Sequence, residues 1–177
     1  MKPLARLLRR RRPATLSAIY LSVAAGRPMQ AFEAVQAIAR RGLEGDRYAE
    51  RGGHWQASDA CQVTLIGSDD LRRAARGQAD AIRDKLETGH HRRNLVVDGI
   101  RSRALEGRTF RIGEALFAWH KPRPPCGYLD QIEGAGLCRA LGRNSGVCLR
   151  VLEGGMVRVG DTIDILSDGE ASSLRGD

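Results

Sequence analysis

The chain has 177 residues, of which 42% are hydrophobic and 28% charged, while only 5% are aromatic. This composition excludes wholesale disorder, and the length is typical of one domain with a sizeable core. The net charge of +8 is concentrated near the start, where residues 2–12 contain six basic side chains and no acid appears before Glu33. We therefore predict a basic tail over residues 1–13, one nearly neutral domain over 14–166 and a polar tail over 167–177.

The basic tail allows two further interpretations. Four arginines over 9–12, followed by a short apolar segment, resemble an export signal, whereas the alternation over 16–21 predicts a first strand. Nucleic-acid binding through the arginines is a separate hypothesis, which the scarcity of aromatic residues and the lack of a recognition motif disfavour. No apolar segment reaches the ~20 residues of a membrane-spanning helix, so we expect no membrane association.

Short apolar segments separated by glycine-containing turns follow the tail. In chain order, strands are predicted over 15–23, 32–39 (where a helix fits equally well), 62–66, 94–97, 109–119 (two strands, or one bent at Gly113), 147–152, 156–159 and 162–166. Helices are predicted over 69–76, with Ser68 as the N-cap, and over 80–87 and 128–141. The Gly154-Gly155 pair predicts that the two strands beside it form a hairpin. Many short strands with few helices indicate a β-barrel.

The four cysteines form no C-x-x-C pair and no zinc-binding spacing, so reduced thiols are expected. Three of them, Cys61, Cys138 and Cys148, lie in predicted strands or helices, where buried and inert cysteines are usual. Cys126 differs because it ends the segment Pro122-Arg123-Pro124-Pro125-Cys126. Rigid backbone and neighbouring guanidinium groups are typical of thiols that attack electrophiles or bind soft metals.

Common motifs for nucleotide binding, zinc proteases and serine hydrolases are absent from the sequence. The polar candidates lie in three predicted turns: Gly45-Asp46-Arg47 together with Gly52-Gly53-His54, then His90 to Asn94, and Arg123 to Cys126. Their guanidinium groups suit bidentate binding of phosphate. Each turn also has a plainer interpretation, such as a structural ion pair between Asp46 and Arg47 or a solvated His54.

Taken in order, five segments of this chain resemble the MOSC domain, a family named for the C-terminal domain of molybdenum-cofactor sulfurase. The resemblance covers residues 15–166. The motifs that carry it are Gly42-Leu43-Glu44-Gly45-Asp46-Arg47, Gln62 to Ile66, Arg92 to Val97, Pro124-Pro125-Cys126 and Val151 to Asp161.

The resemblance implies a β-barrel with a few short peripheral helices. It also implies that Cys126, as the family cysteine, is the catalytic residue and ligates molybdenum in a pterin cofactor. By position, Arg47, Arg92 and Asn94 are expected near the pterin phosphate or in the wall of the site. We add Arg123 and His54 as cofactor-binding candidates from the turns described above. Tyr48 departs from the histidine that often follows Gly-Asp-Arg in the family.

The implied activity is the two-electron reduction of N-hydroxylated or similar N-oxygenated small molecules. Electrons would come from a separate donor, since the sequence has no flavin, haem or iron–sulfur signature. The alternative is a sulfur carrier in which a cysteine desulfurase places a persulfide on Cys126. If residues 14–23 form the first strand of the domain, cleavage of an export signal would remove that strand. A cytoplasmic location is therefore expected.

Overall fold

The computed structural model describes residues 12–53, 61–167 and 169–170, which form eleven strands, four α-helices and one 3-10 helix. The strands β1 to β11 are, in chain order, Thr15–Leu21, Gln30–Phe32, Ala34–Ile38, Gly42–Leu43, Val63–Gly67, Leu95–Asp98, Thr109–Ile112, Ala115–Pro122, Val147–Glu153, Gly155–Arg158 and Ile163–Ile165. The helices α1 to α4 are Ser68–Ala75, Asp80–Glu87, Gly127–Glu133 and Leu137–Leu141, and the 3-10 helix is Ser102–Leu105. This confirms the prediction of a mainly β fold with a few short helices.

The strands form two sheets. The larger has the order β11-β7-β8-β9-β5-β6-β1-β2, and the smaller has the order β10-β3-β4. Pairs are antiparallel except for β5 and β6, which are parallel and are connected through α1 and α2. Such a crossover requires a long connection, usually a helical one. A single bridge between Thr15 and Thr162 joins β1 to the segment before β11, but no closed barrel is found among the described strands.

Two hydrophobic clusters hold these elements together. The first contains residues from both sheets, including Phe110 and Phe117, which are register partners with ring centroids 6.2 Å apart. The second packs the helices against the larger sheet around Ile66 and Val96. All five residues of β5 are buried, because the two faces of this strand pack against different clusters: Leu65 lies in the first cluster and Ile66 in the second. Full burial of one such side chain contributes about 1.5–3 kcal/mol.

The hairpin predicted at Gly154-Gly155 is wrong in its pairing. Gly154 separates β9 from β10, which begins at Gly155, but β10 pairs with β3 in the smaller sheet. A Cβ atom on Gly155 would lie 2.6 Å from the Cβ atom of Glu114, and one on Gly154 would lie 2.8 Å from the carbonyl oxygen of Ala37. The two glycines therefore permit a close backbone approach that carries the chain from one sheet to the other.

Two helix predictions also need correction. The helix expected over 128–141 is divided into α3 and α4, because Gly134 and Gly136 adopt φ angles of 95° and 106°, which helical residues do not have. Ser68 is the first residue of α1 rather than its cap, and its hydroxyl donates to the carboxylate of Asp98. None of the helices in the described part of the chain is long and apolar enough to cross a membrane.

Candidate functional site

A pocket forms where the connections after β1, β4 and β8 meet the turn before β6. It encloses about 490 Å³ of empty space, counting its opening to solvent. The residues that line it come from these four segments and from α3: Ala25, Arg47, Tyr48, Arg92, Arg93, Arg123, Pro124, Pro125, Cys126, Tyr128, Leu129 and Ile132. Four guanidinium groups in one pocket favour an anionic ligand.

Arg92 has a buried nitrogen atom that lacks a hydrogen-bond partner. Its Nη1 donates to the carbonyl oxygen of Arg27 and to Oε1 of Glu133, each at 2.8 Å. Its Nη2 has no acceptor among the described residues, although Arg92 is only 6% exposed. The backbone at Arg92 has φ 61°, a left-handed conformation that favours glycine. A buried charged donor without a partner, held on strained backbone, is a common feature of ligand sites.

Arg123 provides a second donor of this kind, because its buried Nε has no acceptor within the described part of the chain. The main-chain N–H of Arg123 donates to the carbonyl oxygen of Gly146 at 3.0 Å, which holds the turn against the start of β9. Its Nη2 donates to the hydroxyl oxygen of Tyr48 at 3.3 Å. The guanidinium of Arg47 lies over the ring of Tyr48, 4.5 Å from the centroid. The side chain of Tyr48 thus contacts the guanidinium groups of both Arg47 and Arg123.

Arg47 is positioned from behind by a buried polar network. Its Nη1 donates to Oδ1 of Asp46 at 3.1 Å, and the same oxygen accepts from Nδ2 of Asn94 at 3.0 Å. The Asn94 side chain also donates to the carbonyl oxygen of Tyr20 and accepts from the N–H and the hydroxyl of Thr64. Asn94 is fully buried and does not line the pocket. It therefore acts through Asp46, as a positioning residue.

Arg93 differs from its neighbour Arg92 because each of its side-chain nitrogens has an acceptor within the fold. Nε and Nη2 donate to the carbonyl and hydroxyl oxygens of Ser145 at 2.7 and 2.5 Å, and Nη1 donates to the carbonyl oxygen of His91 at 2.9 Å. Burial, together with repulsion from Arg123, lowers the pKa of Arg93 to about 10. Nδ1 of His91 accepts from the N–H of Arg93, and burial lowers the pKa of His91 to about 3. His91 is therefore a neutral structural residue.

Cys126 is the residue before α3 and is half-buried in the pocket wall. Its carbonyl oxygen accepts from the N–H of Leu129 and from the thiol of Cys138, each at 2.8 Å. Burial, and a hydrogen bond with Asp130, raise the pKa of Cys138, so this thiol keeps the proton that it donates. The predicted reactive cysteine thus has a second thiol beside it.

The remaining two cysteines also contact each other. The thiol of Cys61 donates to the carbonyl oxygen of Val63 at 3.2 Å. A side-chain interaction with Cys61, together with the nearby charges of Arg123 and Arg93, lowers the pKa of Cys148. Burial raises the pKa of Cys61 well above its ordinary value. The prediction that these cysteines are isolated apolar residues is therefore incomplete, because the charge of Arg123 is close enough to lower the pKa of Cys148.

The structure brings together four of the six residues that the sequence predicts for the site, namely Arg47, Arg92, Arg123 and Cys126. Asn94 lies behind the pocket, and His54 lies outside the described residues. Glu133 was missed by the sequence analysis, although it accepts from both Arg92 and Nδ1 of His90. No sequence pattern connects position 133 with the turn at position 90.

Tyr128 and Ile132, on α3, also line the pocket. No sequence motif predicts their position there, because the packing of α3 places them in the wall. Within the described ranges, no three side chains of His, Cys, Asp or Glu are grouped as a metal site.

Several solved structures share this fold. A crystal structure of an hypothetical protein has a TM-score of 0.67 and 19% identity, and the match covers 90% of this chain and 70% of that one. YuaD from Bacillus subtilis has a TM-score of 0.63 and 14% identity, with coverages of 87% and 96%. YiiM from Escherichia coli has a TM-score of 0.59 and 20% identity, with coverages of 86% and 70%. No curated protein matches the sequence significantly.

The sequence itself matches the family defined as the MOSC domain over residues 52–164. This range contains most of the pocket, including Arg92, Arg123 and Cys126, and it covers more than half of the chain. The chain therefore belongs to the MOSC domain family.

Proposed function

We propose that this protein binds the molybdenum cofactor in the arginine-lined pocket, with Cys126 as the protein ligand to the metal. We further propose that it is an oxidoreductase that reduces N-hydroxylated or similar N-oxygenated small molecules with electrons from a separate donor. Family membership supports the cofactor, and the pocket provides residues whose chemistry fits it.

The observation that carries the proposal is the pair of unpartnered donors in the pocket. Among the described residues, Nη2 of Arg92 and Nε of Arg123 have no acceptor, and both side chains line the same pocket as Cys126. A buried donor without a partner loses about 1–3 kcal/mol, and more when it is charged. Anionic groups such as the phosphate of a pterin cofactor are strong acceptors for donors of this kind, so the residues present fit this cofactor.

Each residue then has a defined task. Arg92 and Arg123 bind the anionic group, while Asn94 and Asp46 hold Arg47 in the pocket wall. Cys126 supplies one soft thiolate ligand, which suits molybdenum. When bound, the cofactor supplies a centre that accepts and donates two electrons. The hydroxyl of Tyr48, fixed by Arg123, is positioned to hold a proton at the pocket wall.

The proposal is tested by the metal content of the protein purified from a host that makes molybdenum cofactor. We expect bound molybdenum in the wild-type protein and background amounts in Cys126→Ala. Cys61→Ala is the matched control and should retain the metal, because Cys61 does not line the pocket. Negligible and equal molybdenum in the wild type and Cys126→Ala would overturn the proposal. Turnover of a hydroxylamine by loaded protein with an artificial reductant would then test the reaction.

A second candidate is the sulfur carrier, favoured by the position of Cys126. The residue is only half-buried and lies in a pocket that opens to solvent, so a donor protein can reach its thiol. In this function the Cys126 thiolate accepts sulfur as a persulfide. Mass spectrometry after incubation with a cysteine desulfurase and cysteine should show a one-sulfur adduct on Cys126. An adduct found only on Cys61, Cys138 or Cys148 would contradict this candidate.

A further inference from the structure

Cys126 and Cys138 form a pair across the glycine-containing turn that separates α3 from α4. The thiol of Cys138 donates to the carbonyl oxygen of Cys126 at 2.8 Å. The carbonyl oxygen and the Sγ atom of one residue are only four covalent bonds apart. The two sulfur atoms are therefore near neighbours, although the residues are twelve positions apart in the chain.

This proximity is fixed by hydrogen bonds rather than by chance contact. The N–H of Cys138 donates to Oδ1 of Asp130 at 2.9 Å, which ties the first turn of α4 to the body of α3. The N–H of Leu129, in the first turn of α3, donates to the same carbonyl oxygen of Cys126 that the Cys138 thiol contacts. Both cysteines are half-buried, so small thiol reagents have access to them.

A disulfide between the two residues would require the sulfur of Cys138 to leave the carbonyl oxygen of Cys126 and to turn towards the sulfur of that residue. A rotation about χ1 of Cys138 is the simplest movement of this kind. Disulfides join residues whose Cα atoms are about 4.4–6.8 Å apart, which defines the geometry that the oxidised state must reach.

The other pair of neighbouring thiols has a different environment. Cys148 is only 1% exposed and lies on β9 between β5 and β8, where it is register partner to Thr64 and to Lys121. A reagent must enter the sheet to reach this sulfur. Cys61 is half-buried, so the burial of Cys148 is what makes this pair an internal control for the reactivity of Cys126 and Cys138.

We propose that Cys138 is a resolving cysteine for Cys126. Oxidation by a small disulfide then blocks the thiol of Cys126 in a reversible Cys126–Cys138 disulfide. In the first step the Cys126 thiolate attacks oxidised glutathione, which forms a mixed disulfide and releases one glutathione thiolate. In the second, the glutathione thiolate released in the first step takes the proton of Cys138, and the resulting Cys138 thiolate attacks the Cys126 sulfur and releases the second glutathione thiolate. Two cysteine thiols are oxidised, and one glutathione disulfide is reduced to two thiols that take up the two protons.

The consequence is a protected state of the site. In the Cys126–Cys138 disulfide, Cys126 can bind neither metal nor sulfur, and it is shielded from irreversible oxidation to sulfinic acid. A thiol reductant restores it. This inference goes beyond the proposed function because it requires neither molybdenum nor a sulfur donor, so its failure leaves the metal measurement unaffected.

The experiment uses full-length protein purified from a host that lacks molybdenum cofactor. The reduced protein is incubated with oxidised glutathione, quenched with acid, and examined by intact-mass and peptide mass spectrometry. We expect the wild type to accumulate the Cys126–Cys138 disulfide with little bound glutathione. Cys138→Ser should retain glutathione on Cys126 at a level at least tenfold higher. Cys61→Ser should behave like the wild type.

Two results would overturn the inference. One is a wild-type protein that keeps glutathione on Cys126 as fully as Cys138→Ser does. The other is a wild-type disulfide that joins Cys61 to Cys148 instead. The second result is read from peptide mapping of the wild type alone, whereas the first compares the wild type with Cys138→Ser. Serine also preserves a hydroxyl donor for the carbonyl oxygen of Cys126, and circular dichroism checks that the variants are folded.

Discussion

Arg92 and Arg93 are neighbours in the chain and both line the pocket, but their side chains connect to two different regions of the molecule. One nitrogen of Arg92 has no acceptor among the described residues. Each side-chain nitrogen of Arg93 instead donates to Ser145 or His91, in the buried layer beside the pocket. Arg92 therefore has a hydrogen-bond donor available for a ligand, whereas every side-chain nitrogen of Arg93 already donates within the fold. Charge alone does not distinguish a site residue from a structural one.

The largest effect is expected from removing Arg93. Arg93→Met leaves the carbonyl oxygens of Ser145 and His91 without their donor inside the fold. We expect the free energy of unfolding to fall by about 4 kcal/mol, because each buried acceptor left without a donor costs about 1–3 kcal/mol. Urea unfolding followed by circular dichroism measures this loss. A loss below about 1 kcal/mol would show that Arg93 is not a structural residue.

Asn94→Ala should have the next largest effect. It removes the donor to Asp46 and to the carbonyl oxygen of Tyr20, together with the acceptor of two Thr64 donors. We expect a loss of about 3 kcal/mol in unfolding free energy, since each unsatisfied buried group costs about 1–3 kcal/mol. Urea unfolding of Asn94→Ala beside Asn94→Asp, which keeps one acceptor, separates packing from hydrogen bonding. Wild-type stability in Asn94→Ala would contradict the network.

The buried layer should also make the protein sensitive to acid. His91 has a folded-state pKa of about 3 against 6.5 for an exposed histidine. The unfolded chain therefore binds the extra proton first, and the stability contributed by neutral His91 is complete above pH 6.5 and declines as the pH falls towards 3. We expect a loss of about 2 kcal/mol between pH 8 and pH 5.

The control for this acid sensitivity is His91→Asn. Its side-chain oxygen can accept from the N–H of Arg93 in place of Nδ1, but it does not titrate. Urea unfolding at both pH values should show a smaller acid loss in the variant than in the wild type. Equal losses would place the acid-sensitive group elsewhere.

The smallest stability effect is expected in the pocket wall. Arg92→Met should lower the unfolding free energy by about 1 kcal/mol, because Glu133 keeps its contact with His90. The same change should weaken the binding of inorganic pyrophosphate about tenfold, which corresponds to one charged hydrogen bond of about 1.4 kcal/mol. Isothermal titration calorimetry measures the affinity. Arg73→Met, an exposed arginine on α1, is the control and should bind as the wild type does.

The sequence predicts much of the fold because strands with branched side chains and glycine-containing turns are local signals. It does not predict the partner of β10, since Gly154 and Gly155 are equally compatible with a hairpin and with a crossing between sheets. The ordered family motifs locate Arg92 and Cys126 in the same site. They do not reveal that Asn94 works from behind the pocket, or that Cys138 lies against Cys126, because both depend on contacts between distant segments.

The pocket wall draws residues from positions 25, 47, 92 and 123–132, so none of its parts exists in a local fragment of the chain. Contacts between such distant positions form late and slowly during folding, because the chain loses entropy on closing a long loop before the contacts stabilise it. The pocket is therefore a product of the completed fold. A newly made chain becomes competent to take up a ligand only after both sheets have assembled, which sets an order of events for its maturation.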